Sequence, residues 1–332
     1  MEIGFSPVII LIFCLAFFVD LAIGDPPSLP HPVRIIGKGI SGMERLLKRS
    51  SAPKEQERLA GFMLALVITL TTFLCALLIE KWILFALKGL FRVFGIAFLV
   101  YLTATTLATK ELLNSSLLVV QAVEEGHMER AREHLSMIVG RDVDALDRDG
   151  ILRAAIETVS ENFSDGVIAP MFFFVLGGMP LALAYKAVNT LDSMVGYKNE
   201  TYRHLGWASA RLDDLCNYVP ARLSAILIAL AAGIYFRSRQ RIGASFKTLY
   251  HEGRHHTSPN SGYPEAAIAG ALKVRLGGPS TYNGVLVKKP YIGSGGETDY
   301  LKAALDAITI VRYGSFGGFF ISLIVLCVWW VL

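Results

Sequence analysis

Charged residues are scarce in this sequence. Asp, Glu, Lys and Arg make up 18% of its 332 residues, against about a quarter in soluble domains. The formal net charge of +4 is too small to indicate a nucleic-acid partner. No phosphate-binding loop of the GxxxxGKS/T type occurs, because GSGGE at 293–297 lacks both the lysine and the following helix. Any bound nucleotide must therefore be held in another way.

Cysteine is also rare. The four cysteines form no close pair, and three of them lie within apolar runs. Buried thiols of this kind behave as small hydrophobic side chains. The pattern gives no indication of a disulfide framework or a structural zinc site.

Long apolar runs are what the sequence does contain, and hydrophobic residues make up 53% of the chain. Five blocks each approach the roughly 20 residues that a helix needs to cross a bilayer. They cover 5–23, 61–79, 83–108, 219–236 and 315–332. Glu2 stands where a signal peptide would be basic, so we expect the first block to be an uncleaved anchor. The blocks predict an all-α integral membrane protein.

Basic residues between the first two blocks predict the topology. They place 24–60 in the cytoplasm and the N-terminus outside, by the positive-inside rule. The residues are Arg34, Lys38, Arg45, Lys48, Arg49, Lys54 and Arg58. We expect a tight hairpin at Glu80-Lys81-Trp82 and two further cytoplasmic segments: a helical one at 110–165 and a Gly- and Pro-rich one at 237–312. The whole chain, 1–332, is predicted to be one membrane-embedded catalytic domain.

The apolar stretch 167–185 is interrupted by glycine and proline. Its breakers are Pro170, Gly177, Gly178 and Pro180. A broken helix at membrane depth is tolerated where protein or a wet cavity surrounds it. The stretch either crosses the membrane or re-enters it, and we favour re-entry because broken helices line binding sites in membrane proteins.

Four charged residues follow one another at helical i, i+4 spacing just before that stretch: Arg153, Glu157, Glu161 and Asp165. One interpretation is a solvated stripe in which Arg153 pairs with Glu157, while Thr158 and Glu161 form a capping box. The alternative is a cation or ammonium site in which Glu161, Asn162 and Asp165 supply hard oxygen ligands. Carboxylates this close to a bilayer are costly without a partner, which favours the alternative.

Two more polar groups follow. In YKAVNTLDSMVGY, Lys186, Asn189 and Ser193 share a helix face beside Asp192. In RLDDLCNYVPARL, the side chains concerned are Arg211, Asp213, Asp214 and Asn217. Each group fits either a polar helix end facing water or a site for Mg²⁺ and phosphate.

Two loop motifs complete the set. Ser258-Pro-Asn-Ser-Gly predicts a turn that leads into a helix at Pro264 and Glu265. A polar loop at a helix start either caps the helix or binds an anion. The prolines of GDPPSLPHPVRIIGKGI predict an extended linker that carries Asp25, His31 and Arg34.

Together these motifs resemble one family. GDPPSLPHPVRIIGKGI, ETVSENFSDGVIAP, YKAVNTLDSMVGY, ARLDDLCNYVPARL and SPNSGYPEAAIAGAL are similar, in this order, to the CbiB/CobD family of cobalamin biosynthesis, from about Gly24 to Tyr313. The resemblance implies adenosylcobinamide-phosphate synthase activity, an ATP- and Mg²⁺-dependent amide ligation. It joins the propionate carboxyl of adenosylcobyric acid to an amino-alcohol phosphate, typically (R)-1-aminopropan-2-yl phosphate. It also implies a cell-membrane location with the active site facing the cytoplasm and, as partners, membrane lipid and other membrane enzymes of late cobalamin assembly.

We assign roles to the motif residues from the chemistry of that reaction. Candidate catalytic residues are Glu157, Glu161, Lys186 and Asp192. Candidate metal ligands are Glu161, Asp165, Asp192, Asp213 and Asp214. Candidates for binding substrate or phosphate are His31, Arg34, Asn162, Asn189, Arg211, Asn217, Arg222, Ser258, Asn260, Ser261 and Glu265, with Lys186 as a further phosphate-binding cation. Glu157, His31 or His255 would take the ammonium proton. We expect all five motifs to reach one side of the membrane or one shared cavity.

Two other classes remain open. A membrane prenyl or alcohol-phosphate transferase also places aspartates and Mg²⁺ on diphosphates, but usually in two Asp-rich motifs. The other class is a non-enzymatic membrane sensor or transporter with a polar cavity.

Overall fold

A computed structural model describes residues 7–26, 28–47, 53–197, 199–282, 284–296 and 299–331. The chain is 76% helical, which confirms the predicted all-α class. The parts of earlier predictions that fall on 5–6, 48–52, 283, 297–298 and 332 lie outside the described residues, including Lys48, Arg49 and the outer ends of the first and last predicted spans.

The chain divides into two compact units. The first unit contains α1 (Pro7–Ile23), α2 (Pro32–Leu47), α3 (Lys54–Ala86), α4 (Gly89–Ala104), α8 (Ala169–Val195) and α9 (Trp207–Cys216). The second unit contains α5 (Thr109–Glu124), α6 (Met128–Ser136), α7 (Arg148–Phe163), a π-helical turn (Ser164–Ile168), α10 (Tyr218–Tyr235), α11 (Arg239–Glu252) and α12 (Gly262–Leu272). It also holds β1 (Leu276–Gly277), β2 (Ser280–Tyr282), β3 (Val285–Val287) and β4 (Tyr291–Ile292). The last helix, α13 (Tyr300–Val331), belongs to the second unit up to Gly318 and to the first from Phe319.

The strands form two small antiparallel pairs, β1 with β4 and β2 with β3. In the first pair Leu276 lies opposite Ile292, and in the second Thr281 lies opposite Leu286. Both pairs belong to the predicted Gly- and Pro-rich segment. The second pair fixes the position of Ser280, whose hydroxyl contacts Arg141.

The first unit is held together by aromatic and aliphatic packing. Phe17 stacks on Phe319 at 4.4 Å between ring centroids, and Phe13 contacts Phe174 at 5.0 Å. A second cluster joins α2, α3 and α8 through Ile40, Leu64, Ala65, Ile68, Ala187, Leu191 and Val195. Away from this core, α3 exposes Leu66, Leu70, Leu74 and Leu78 at four-residue spacing. Such a one-sided apolar ladder is the surface expected of a helix that faces lipid.

In the second unit, α12 consists mainly of Ala, Gly and Ile after Glu265, and every residue of the helix except Tyr263 is buried. Small side chains allow α7, α10 and α11 to approach its backbone closely. A methyl group at Gly270, for example, would lie 2.6 Å from the carbonyl oxygen of Ala244. The Ser245 hydroxyl on α11 also donates a 2.7 Å hydrogen bond to the carbonyl of Ala267. The helix start of α12, which carries Glu265, is thereby fixed.

Within the described residues, four helical stretches are long and apolar enough to cross a membrane, or five if α4 and α5 count as one bent span. They are Lys54–Ala86, Arg148–Val195, Tyr218–Tyr235 and Tyr300–Val331. Helix α1 has 17 residues, somewhat short of a full span. The protein is therefore a multi-pass membrane protein, as predicted.

The break within 167–185 is confirmed. Gly177 and Gly178 leave helical geometry, with φ of +67° at Gly178, and Pro180 follows. Positive φ is freely available only to glycine, so this position permits the kink. Whether the stretch crosses or re-enters the membrane stays a prediction.

Two local predictions are wrong. The hairpin predicted at Glu80-Lys81-Trp82 does not form, because α3 continues to Ala86 and the chain turns at Leu87-Lys88. Glu80 is buried and lies close to Gly178, where an added methyl group would be 3.5 Å from the Glu80 carboxylate. Glu80 therefore marks a contact within the protein. The linker predicted to be extended is helical from Pro32 onward, since proline fits the first position of a helix.

Candidate active site

Helix α7 positions the acids of the second unit. Asp147 caps its start by accepting a 2.7 Å hydrogen bond from the N–H of Gly150. Thr158 and Glu161 lie inside the helix, so the alternative of a capping box at these residues is wrong. The predicted Arg153–Glu157 pair is not formed either. Arg153 instead donates to the carbonyl of Asp149 and lies over the ring of Tyr300.

Glu157 is buried and has both carboxylate oxygens occupied. One oxygen pairs with the guanidinium of Arg141, and the other accepts a 2.7 Å hydrogen bond from the N–H of Gly277. Arg141 also reaches the hydroxyl of Ser280 at 3.4 Å. This carboxylate therefore ties α7 to the segments around 141 and 277.

Glu161 lies one turn further along α7 and contacts the SPNSG loop. The Ser261 hydroxyl donates a 2.7 Å hydrogen bond to Glu161 Oε1 and lies 3.1 Å from the Ser258 hydroxyl. The N–H groups of Asn260 and Ser261 both point to Ser258 Oγ, at 3.3 and 3.2 Å. The predicted turn is confirmed, and it brings two hydroxyl groups to the acidic face of α7.

His256 has its tautomer fixed by the same loop. The N–H of Ser258 donates to His256 Nδ1 at 3.0 Å, so a neutral ring carries its proton on Nε2. Burial lowers the pKa of His256, which keeps the ring neutral. Its Nε2 faces Glu265 Oε1 at 3.8 Å, beyond hydrogen-bond distance.

Glu265 is the most enclosed acid of this cluster. Burial raises its pKa well above the ordinary value, and the charges of Glu157 and Glu161 add to the shift. A place in the first turn of α12 favours the ionised form by about 0.3–1 kcal/mol, which is less than one pKa unit. Burial therefore outweighs the helix dipole.

Two cations lie in the same unit. Lys289 donates a 2.6 Å hydrogen bond to the Tyr282 hydroxyl, and its positive charge acts to lower the pKa of both His256 and Glu265. Arg222 stacks between the rings of Tyr218 and Tyr263, at 3.5 and 4.0 Å, and reaches Asn260 Oδ1 at 3.5 Å. Stacking on both faces fixes the plane of the guanidinium and leaves its edge to bind oxygen atoms.

The first unit holds a second polar cluster where α8 packs against α9. The Tyr185 hydroxyl donates to Asn217 Oδ1 at 2.8 Å, and Asn217 Nδ2 donates to Asp213 Oδ2 at 3.0 Å. Asn189 approaches the other oxygen of Asp213 at 3.4 Å. Burial, together with the negative charge of nearby Asp192, raises the pKa of Asp213 to about 7. Three of the predicted residues, Asn189, Asp213 and Asn217, are thus brought together by direct contacts, with Asp192 close by.

The other predicted residues are more peripheral. Arg211 is exposed and lies 3.9 Å from Asp214, while Lys186, Asn162 and Asp165 are half-buried on their helices. His31 donates to Asp25 at 3.1 Å and accepts from the N–H of Val33, while exposed Arg34 reaches the carbonyl of Leu29. His255 is exposed.

Hard oxygen donors of this kind suit Mg²⁺, which takes one or two carboxylates together with substrate phosphates. Within the described residues, no three His, Cys, Asp or Glu side chains are arranged to hold a metal ion. Asp192 and Asp213 nevertheless fit a shared cation, because their mutual repulsion is the kind that a divalent ion relieves. The metal pool predicted from the sequence divides, with Glu161 and Asp165 in the second unit and the three aspartates in the first.

The comparison with known proteins decides the family. The family model described as CobD/Cbib protein matches residues 13–311. The chain belongs to the CobD/CbiB family. Curated relatives named "Cobalamin biosynthesis protein CobD" include those of Geobacter metallireducens, 49% identical over 84% of each chain, and Pelobacter propionicus, 47% identical over 85% of this chain and 84% of the relative. "Cobalamin biosynthesis protein CbiB" of Salmonella typhi is 44% identical over 86% of this chain and 87% of its own. No solved structure matches the chain significantly.

This CobD/CbiB member contains four cluster residues that sequence reasoning missed: Arg141, His256, Tyr282 and Lys289. His256 stands beside His255 in the sequence, and only the turn at Ser258 shows which of the two faces inward. Arg141 lies 16 positions before Glu157, and Tyr282 and Lys289 flank a hairpin that the sequence did not predict. Gly140 before Arg141 indicated only the end of a helix.

Proposed function

We propose that this protein is a membrane-embedded ligase of cobalamin biosynthesis. It joins the propionate carboxyl of adenosylcobyric acid to an amino-alcohol phosphate, typically (R)-1-aminopropan-2-yl phosphate, in a reaction that consumes ATP. Family membership, the names of the curated relatives and the motif resemblance support the pathway. The active site faces the cytoplasm of the cell membrane, where ATP and the corrinoid are found.

One observation carries the reaction type. The second unit encloses carboxylates and cations in a single cluster, with Glu161 and Glu265 beside Lys289 and Arg141. An amino-alcohol phosphate carries an ammonium group at one end and a phosphate at the other, so it needs both kinds of partner. Glu161, oriented by Ser261, suits the ammonium, whereas Lys289 and the planar edge of Arg222 suit phosphate oxygens.

Amide formation also requires an activated carboxyl group and a neutral amine. The simplest activation is transfer of the ATP γ-phosphoryl group to the propionate carboxylate, which gives an acyl phosphate. Ser258, Asn260 and Ser261 form a polar turn at the start of α12, in which the Ser258 hydroxyl accepts from the turn and keeps its own hydrogen for a phosphate oxygen. Lys186 and Arg211 remain candidates for the same charge in the first unit.

Asp192 and Asp213, oriented by Asn189 and Asn217, would hold Mg²⁺ in the first unit. When bound there, Mg²⁺ would neutralise triphosphate charge. Tyr185 fixes the amide of Asn217 through its hydroxyl, so that Nδ2 faces Asp213. Glu157 suits a positioning role better than proton transfer, because both of its oxygens already accept hydrogen bonds.

The test is product formation by the purified full chain in detergent or liposomes. With adenosylcobyric acid, ATP, Mg²⁺ and aminopropanol phosphate, we expect adenosylcobinamide phosphate by mass spectrometry, and none when ATP is omitted. A protein that forms no amide with any amino alcohol, with or without its phosphate, but accumulates substrate in sealed vesicles would be a transporter and would refute the proposal.

A further inference from the structure

Glu265 differs from Glu157 and Glu161 in having no hydrogen-bond donor among the described residues. Glu157 accepts from two donors and Glu161 from Ser261, whereas nothing in the described part of the chain donates to Glu265. Its side chain is only 4% exposed. Buried polar groups are almost always hydrogen-bonded, so an enclosed carboxyl left open in this way points to a donor that the ligand brings.

His256, the group that faces this carboxyl, is unable to act as the base. Its Nδ1 already accepts the N–H of Ser258, and its Nε2 carries the proton in the neutral ring. Nε2 is therefore a donor, and it lies 3.8 Å from Glu265 Oε1, too far for a hydrogen bond. Proton acceptance in this corner of the cluster falls to the carboxyl.

We propose that Glu265 is the general base that takes the proton from the ammonium group of the amino-alcohol substrate, with neutral His256 beside it as a group that does not compete for that proton. This inference rests on the proposed amide ligation. It changes the assignment of the proton acceptor from Glu157, His31 or His255 to Glu265, which the sequence suggested only as a substrate- or phosphate-binding residue.

The charges around Glu265 support this role. Glu157 and Glu161 act on it from α7, and Arg141 and Lys289 act on it from the segments beside β2 and β3. From the other helices packed on α12, Ser245 and Arg241 bind the carbonyls of Ala267 and Ala271, and Arg222 reaches Asn260. Two cations thus stand against three carboxylates. An arriving ammonium group supplies a third positive charge, which favours the ionised form of Glu265, the form that accepts a proton.

Proton transfer comes before bond formation. The ammonium R–NH₃⁺ gives one proton to Glu265 and becomes R–NH₂. The nitrogen lone pair attacks the carbonyl carbon of the acyl phosphate, the new C–N bond forms, and the C–O bond to phosphate breaks. The phosphate leaves with the second amine proton as HPO₄²⁻, and Glu265 later releases its proton to water.

A comparison of two nucleophiles distinguishes the proton transfer to Glu265 from the rest of the reaction. Wild type and variants are given adenosylcobyric acid, ATP and Mg²⁺ with either aminopropanol phosphate or hydroxylamine, which is already unprotonated at neutral pH and gives a hydroxamate. For E265Q we expect amide formation to fall by about 10²–10⁴-fold, the range for general-base catalysis, while hydroxamate formation falls much less. E265D should recover part of the amide rate with a shifted pH profile.

The matched control is E157Q, which makes the same change at a buried glutamate that already has its donors. It should lower both products together. Gel filtration in detergent checks folding, and if E265Q does not fold, the comparison of E265D with wild type replaces it. Equal loss of both products in E265Q, an unchanged amide rate, or an E265D pH profile that coincides with wild type would overturn the inference. Wild-type protein that forms neither amide nor hydroxamate would overturn the proposed function itself.

Discussion

The buried pair between Arg141 and Glu157 allows one stability prediction to be worked through. Their side chains are 14% and 6% exposed, so neither charge can be solvated if the other is removed. Glu157→Gln keeps the shape of the side chain and an oxygen for the N–H of Gly277, but leaves the guanidinium unpaired. Breaking a buried pair in this way costs about 3–5 kcal/mol. At about 2–4 °C per kcal/mol for a unit of this size, the melting midpoint should fall by about 6–20 °C.

Thermal unfolding of the purified protein in detergent, followed by far-ultraviolet circular dichroism, measures this shift, because the four tryptophans all lie in the first unit. Glu129→Gln is the matched control, because Glu129 pairs with Arg132 while 95% exposed, and it should change the midpoint by less than about 3 °C. Adding Arg141→Met to Glu157→Gln removes the stranded charge and should recover part of the loss. The reasoning fails if Glu157→Gln melts with the wild type, or if the double variant melts lower than the single one.

Three further predictions concern other parts of the molecule. Asp192→Asn and Asp213→Asn should each lower amide formation by at least about 100-fold while membrane insertion, tested by fractionation, is unchanged; wild-type turnover in both would contradict the proposed Mg²⁺ site. Gly61→Ala should lower the melting midpoint clearly, because its methyl group would lie 1.8 Å from the carbonyl oxygen of Leu205; an unchanged midpoint would show that α3 can shift. The pKa of Glu265 is higher in the folded protein than its ordinary value of 4.5. Ionisation of this side chain therefore destabilises the fold increasingly as the pH rises above 4.5. The melting midpoint of Glu265→Gln should therefore be closest to that of the wild type near pH 4.5 and should rise relative to it toward neutral pH. A relative midpoint that falls with rising pH would contradict this.

The class of fold could be predicted because lipid imposes long apolar runs on any spanning helix. The predictions that failed were those that placed the ends of helices at polar residues or at proline. Glu80 and Lys81 suggested a membrane exit, yet Glu80 is buried against the broken part of α8, a contact between segments nearly a hundred residues apart. Pro32 suggested an extended chain, yet it begins α2. Hydropathy along the chain contains neither piece of information.

The site could be predicted in part for a similar reason. Asp213 and Asn217, four positions apart, could be grouped from the sequence because the helix itself brings them into contact, whereas the contact of Asn189 with Asp213 joins two different helices. Residues that join the site through loops were missed. The choice between His255 and His256 depends on a single backbone hydrogen bond at Ser258, and periodicity gives no means of finding it.

The length of α3 has a consequence for the aspartates of the first unit. Its 33 residues measure about 50 Å, whereas the hydrocarbon layer is about 30 Å thick. A stretch of roughly 20 Å must stand outside the lipid or be taken up by tilt. The polar end from Lys54 to Arg58 is the part suited to water, and α9 packs against α3, with Leu205, just before α9, lying against Gly61. Asp213 is therefore carried by a short helix that packs on a helix longer than the lipid layer is thick, so its position follows that of α3.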